Sequence, residues 1–209
     1  MDGEAGKDVV RRGYDALSAR YDEAYDGESK YGDWLTEILA RLGDGSQVLD
    51  LGCGSGVPVA ATLSGAGHRV TGVDLSGVQV ERARERVPAA TFVQGDATKL
   101  VLPAASFDAV LSFYALIHIP VDEQRELLHR IADWLRPGGL FVATVGATAW
   151  TGAEENWLGG DAPMWWSHPD AATTRTWIEE AGLVVEREEF IPEGAGGHTL
   201  LWAYRSAAE

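Results

Sequence analysis

With 209 residues, 45% hydrophobic and 23% charged, the chain has enough apolar surface for one substantial core, which predicts a single soluble globular domain. Its 32 acidic against 17 basic residues give a formal charge of -15, which argues against a nucleic-acid partner, because affinity for a phosphate backbone comes largely from Lys and Arg. No run approaches the roughly 20 apolar residues of a membrane span, M-D-G-E-A-G-K-D lacks a signal peptide's apolar segment, and Cys53 alone permits no intrachain disulfide, so a cytoplasmic protein is expected.

Residues 7–25 put Val10, Tyr14, Leu17, Tyr21 and Tyr25 at helical spacing. An aromatic stripe of this kind either docks as core or closes a site as a lid. A turn at Asp26-Gly27 precedes a second amphipathic helix with Tyr31, Trp34, Leu35, Ile38, Leu39 and Leu42, stopped by Gly43-Asp44-Gly45. Strand one, Gln47–Leu51, runs into V-L-D-L-G-C-G-S-G (48–56), and a helix follows to about Gly65. Glycines in such a loop let backbone N–H groups approach a ligand, and the helix end adds partial positive charge. Cys53, between two of these glycines, reads as a small packing residue rather than a redox thiol, since no second Cys or base adjoins it.

Strand two is His68–Val73, ending on Asp74, and Ser76 can cap the helix that runs to about Val87. Strand three, Ala90–Gln94, ends at Gly95-Asp96; strand four, Phe107–Phe113, is a near-continuous apolar run suited to burial on both faces. A helix from Val121 to Arg136 turns at Pro137-Gly138-Gly139 into strand five, Leu140–Val145. This alternation predicts a parallel α/β sheet with helices on both faces. The pattern breaks at 146–168, where Trp150, Trp157, Trp165 and Trp166 crowd together without a period, as in a binding loop or a self-packed cap. A helix (Pro169–Ala181), a strand (Leu183–Ile191), a glycine-rich turn (193–197) and a last strand (His198–Tyr204) predict an antiparallel hairpin at a sheet edge. The expected divisions are an N-terminal helical lid (1–45), a core (46–145), a covering insertion (146–168) and the terminal helix and hairpin (169–209), all in one domain.

Open parallel sheets bind ligands at the carboxyl ends of their strands. The glycine loop, Asp74, Asp96 and the exit of strand four all fall on that rim. A carboxylate ending strand two, roughly 20 residues beyond the loop, suits a ribose diol, which a nicotinamide enzyme would also need. Two details point away from that enzyme. Val57 stands where a G-x-G-x-x-G pattern requires glycine, and Asp96 supplies a second acid able to accept from an exocyclic adenine amine.

Taken together, V-L-D-L-G-C-G-S-G, V-T-G-V-D-L-S, Q-G-D-A-T, F-D-A-V-L-S and L-R-P-G-G-L-F-V resemble the class I S-adenosylmethionine (SAM)-dependent methyltransferases of the small-molecule type over residues 46–145. The resemblance implies a Rossmann-like seven-stranded sheet of order 3-2-1-4-5-7-6 with strand seven antiparallel. It also implies that Asp50, Gly52 and Gly54 line the methionine end of SAM, with Tyr21 reaching its carboxylate. Asp74 would take the ribose, Leu75 would pack on adenine, Asp96 and Ala97 would hold the adenine edge, and Ser112-Phe113 would offer carbonyls to the ammonium. S-adenosyl-L-homocysteine (SAH) would be the product.

Methyl transfer needs an acceptor lone pair held in line with the methyl carbon and, for a hydroxyl or many amines, a base near pKa 7. Histidine is the side chain of that range. His118 beyond strand four, His168 in W-W-S-H-P and His198 in G-G-H-T are the candidates; His68 and His129 read as packing or surface residues. Tyr14, Tyr25, Trp165 and Trp166 suggest aromatic walls for a small planar acceptor, methylated on O or N. No metal is called for, and a monomer or homodimer is expected. A nicotinamide-dependent (NAD) oxidoreductase and a non-catalytic SAM-binding protein remain the alternatives.

Overall fold

The computed structural model describes residues 2–25, 30–194 and 196–207; the turn expected at Asp26-Gly27 and Ala195 of the hairpin turn lie outside them. Two helices, α1 (Gly3–Tyr25) and α2 (Lys30–Arg41), precede the alternating core β1 (Gln47–Leu51), α3 (Val59–Gly65), β2 (Arg69–Asp74), α4 (Gly77–Arg86), β3 (Thr91–Gln94), β4 (Phe107–Ser112), α5 (Val121–Trp134) and β5 (Leu135–Gly146). Then come β6 (Trp150–Glu154), β7 (Met164–His168), α6 (Ala171–Glu180), β8 (Leu183–Glu193) and β9 (Gly196–Arg205). The main sheet has the order β3-β2-β1-β4-β5-β9-β8, parallel except for β9, which runs against both β5 and β8. With the small β6–β7 pair set aside, this is the order the resemblance implies.

Residues alternate across the sheet with the strand period of two. Ala109, Leu111, Leu140 and Val142 face a core built with α2, α3 and α4, while Val110, Phe141, Ala143 and Val145 face one built with α5 and α6. A third cluster sits above the rim, where Val9, Val10 and Leu17 of α1 pack on Trp157, Met164 and Trp165. Among the described residues no helix is long and apolar enough to cross a membrane.

Two expectations need correction. Residues 146–168 are not irregular: β6 and β7 form an antiparallel pair in which Gly152 faces Trp166, and the absent side chain leaves room for the Trp150 and Trp166 rings, 5.2 Å apart. Two five-residue strands separated by the nine residues 155–163 give too short a pattern to read as strands. Strand five begins at Leu135, because Pro137-Gly138-Gly139 forms a bulge inside the strand: Phe107 pairs with Leu135, whereas Ala109 pairs with Leu140.

Candidate functional site

The carboxyl ends of β1, β2, β3 and β4 open on a cavity of about 100 Å³, roofed by Lys7, Val10, Tyr14 and Tyr21 of α1. Gly52 and Gly54 lie on its floor with φ of 76° and 53°, a region costly for other residues. A Cβ on Gly52 would fall 2.2 Å from that of Ala115, while one on Gly54 would meet nothing within 4 Å, so the loop is closed on one side and open where a ligand can approach.

Asp74 is clamped by main chain: Gly54 N–H donates to Oδ2 and Ser76 N–H to Oδ1, both at 2.9 Å. Burial raises its pKa to about 6 against the lowering effect of those amides. Asp50, 2% exposed, has an Oδ2 with no partner among the described residues, and burial together with the Asp74 charge lifts its pKa to about 7. Asp96 caps the turn after β3 through Oδ1 to Thr98 N–H (2.9 Å) and receives Lys7 Nζ on Oδ2 at 2.8 Å; the same ammonium reaches Glu123 at 2.7 Å. Burial opposes the charge on Lys7, but these two carboxylates win and hold it above the ordinary lysine range.

Further polar contacts dock α1 on α4. Ser76 accepts from Gln79 N–H as the helix cap and donates to Asp15 at 2.6 Å, Ser18 donates to Gln79 at 2.7 Å, and Asp22 receives Arg82, Arg86 and Ser55.

A second cavity, of about 260 Å³, adjoins the first and shares Tyr14, Tyr21, Tyr114 and His118 with it. Tyr25, Tyr31, Trp157 and Trp166 complete its aromatic walls, and Glu154, Glu193 and His198 add polar groups. His118 is spoken for on both sides. A carbonyl can only accept, so Nδ1–H donates to Trp165 O (2.6 Å) and bare Nε2 accepts the Tyr14 hydroxyl (3.2 Å). Burial pushes its pKa down to about 4, leaving a neutral ring at pH 7.

Of the residues singled out from sequence, Tyr21, Gly52, Gly54, Asp74, Leu75, Asp96, Ala97 and Phe113 meet around the first cavity, with Asp50 outside its lining. Tyr14, Tyr25, Trp166, His118 and His198 line the second. Two stand apart. Trp165 is buried beneath α1, where a Cβ on Gly6 would strike its ring at 2.7 Å. His168 packs on Gly146, whose Cβ would fall 1.9 Å from Nδ1. Lys7, Tyr114, Glu154 and Glu193 were not anticipated. For Tyr114 a signal existed in its place directly after β4, but nothing in the spacing shows that its φ is 57° or that its hydroxyl donates to Glu193 at 2.5 Å. Such left-handed backbone at a non-glycine costs about 1–3 kcal/mol and collects at functional sites.

Residues 48–139 match the family model described as a methyltransferase domain. The chain is 33% identical over 152 residues to the 27-O-demethylrifamycin SV methyltransferase of Amycolatopsis mediterranei (strain S699), covering 62% of this chain and 55% of that protein. It spans about half or less of the first curated relatives it matches. Among solved structures, the 1,6-didemethyltoxoflavin-N1-methyltransferase of Burkholderia thailandensis, with 1,6-didemethyltoxoflavin and SAH bound, superposes with a TM-score of 0.75 at 24% identity, covering 100% of this chain and 92% of that one. The cyclase SpnF superposes with a TM-score of 0.74 at 19% identity and 97% coverage of both chains. At these identities the structural likenesses establish the fold alone.

Proposed function

We propose that this chain is a class I SAM-dependent methyltransferase and that it transfers a methyl group from SAM to a small planar organic acceptor, on O or N. The observation that carries this reading is the shared wall: a cavity built on Gly52, Gly54, Asp74 and Asp96 abuts a chamber of tyrosines and tryptophans across Tyr14, Tyr21, Tyr114 and His118.

The residues suit the donor. Gly54 leaves open the space that a Cβ would fill, and Asp50, two residues before Gly52 though outside the cavity lining, would add negative charge behind the methionine end. Asp74 would hold the ribose hydroxyls, Leu75 and Ala97 would pack about adenine, and Asp96 would take its amine beside Lys7. Tyr21, Gly52 and the Phe113 carbonyl would serve the methionine end. When bound, SAM supplies an electrophilic methyl carbon on a sulfonium sulfur; the acceptor lone pair forms the new bond as the carbon–sulfur bond breaks, and its electron pair stays on sulfur.

This chain's own part is to orient the acceptor and exclude water. Tyr14, Tyr25, Trp157 and Trp166 would bury a flat ring, and the negative faces of their rings favour positive charge at the reacting centre. His118, with both nitrogens engaged, would fix the Tyr14 phenol on the wall between the two cavities. His168 would support that wall from behind Gly146, and His198 would face the acceptor.

Calorimetric titration with SAM, SAH and NAD tests the cofactor, with SAM and SAH expected to bind. Mass spectrometry after incubation with SAM and a panel of phenols and heterocyclic amines tests the transfer, with a product heavier by one methyl group expected. Binding of NAD alone would overturn the reading. Tight SAM binding without transfer to any acceptor would favour a non-methylating role.

A further inference from the structure

The antiparallel course of β9 delivers a second polar group to the chamber. Because β9 opposes β5, His198 pairs with Gly146 at the carboxyl end of β5, and Glu193 at the end of β8 arrives on the same rim. Glu193 Oε2 lies 2.8 Å from His198 Nδ1, and its Oε1 takes the Tyr114 hydroxyl at 2.5 Å. The rings of Tyr114 and His198 meet edge to face, 5.1 Å apart at 81°. Tyr114 is itself held by its left-handed backbone and by its amide, which donates to the buried Thr144 hydroxyl at 2.5 Å.

A carboxylate accepts hydrogen bonds and donates none, so Nδ1 of His198 carries the hydrogen and Nε2 is the nitrogen with the lone pair. The ring lines the aromatic chamber. The contrast with the other candidates is chemical. The Nε2 lone pair of His118 is taken by Tyr14, and His168 lies against Gly146, outside the chamber lining.

We propose that His198 is the proton acceptor of the reaction, positioned by Glu193 and Tyr114, and that the chamber thereby selects acceptors bearing an ionisable hydroxyl on a flat ring. This rests on the methyltransferase reading above. In the step itself the acceptor O–H bond breaks, an N–H bond forms at Nε2, and the electron pair stays on oxygen as the attacking lone pair. The Glu193 carboxylate balances the imidazolium, which releases its proton to water after the product leaves. A positioned base of this kind contributes roughly 10²–10⁴ in rate.

The test uses 4-nitrocatechol, whose ionised form is coloured, bound to the full chain saturated with SAH in weakly acidic buffer. The wild type should ionise the bound probe, whereas His198→Gln and Glu193→Gln should lose at least about tenfold of that ionisation, with Glu193→Asp recovering part of it. Imidazole ¹⁵N shifts of the unliganded protein give an independent measure: His198 should carry its hydrogen on Nδ1 in the wild type, and Glu193→Gln should shift the ring toward the other tautomer. Retained SAH affinity in each variant shows that the fold stands. Equal ionisation by His198→Gln, a probe that stays protonated on the wild type, or a bare Nδ1 would each overturn the proposal. Failure of the wild type to bind SAH would instead overturn the methyltransferase reading beneath it.

Discussion

The two cavities are built by different means. The one at the strand ends draws everything beneath its α1 roof from one span of the chain, residues 52–119, and holds its key carboxylate with main-chain amides. The aromatic chamber takes side chains from α1, from the start of α2, from the segment after β4, from the β6–β7 region and from the β8–β9 hairpin, joined only by the tertiary fold. Backbone and strand ends tolerate little variation in what they bind, whereas side chains from scattered elements can change one at a time. A fixed donor beside a changeable acceptor is what that division permits.

The largest expected effect breaks the donor side at its backbone. Gly52→Val places a branched side chain at φ 76° against Ala115, and SAH affinity should fall by at least about 100-fold in calorimetry, with the melting temperature also lowered. If the variant binds normally, the backbone is not what builds that cavity. Next, Asp74→Ala removes a carboxylate held by two amides, and SAM affinity should drop about tenfold or more through lost charged hydrogen bonds. Unchanged affinity would dissociate Asp74 from the ribose.

On the shared wall the expected effect is on stability against pH. The His118 pKa is depressed to about 4 by burial, so between that value and its unfolded value near 6.5 the unfolded chain binds the proton and the native chain does not. Its contribution is therefore present above the unfolded value and is lost as pH falls toward 4. The unfolding free energy of the wild type, from urea titration, should fall from pH 7 to pH 5 more steeply than that of His118→Gln, by up to about 1.4 kcal/mol per pH unit. Parallel slopes would mean that the ring is not desolvated. The smallest change is on the roof. Lys7→Met frees Asp96 and Glu123 from one cation, and release of SAH in stopped flow should quicken by about fivefold, or about 1 kcal/mol. An unaltered rate would show that α1 leaves without breaking that contact.

The same contrast explains what the sequence discloses. The glycine loop, Asp74 and Asp96 are legible because each requirement is local: a turn that only glycine makes easily, and a short acid at the end of an apolar run. The parallel sheet and its antiparallel edge follow from alternating elements together with the terminal hairpin, whereas the strand order is what the family resemblance implies. The β6–β7 pair was not legible, since Gly152 facing Trp166 leaves no period to detect. Lys7 and Glu193 were missed for another reason. Each lies among ordinary charged residues, and their value comes from partners 89 and 79 residues away, Asp96 and Tyr114. Trp165 and Trp166 show the limit of composition as a guide: neighbours in sequence, they take opposite sides of β7, one sealed under α1 and the other on the chamber wall.

Tyr14 and Tyr21 project from one helix into both compartments at once. A grafted N-terminal segment from a relative would therefore carry half of two contracts, replacing the ceiling of one room while also redrawing the walls of the other. On the proposed reading, a change of acceptor is better begun on the terminal hairpin, whose Glu193 and His198 line only one of the two rooms.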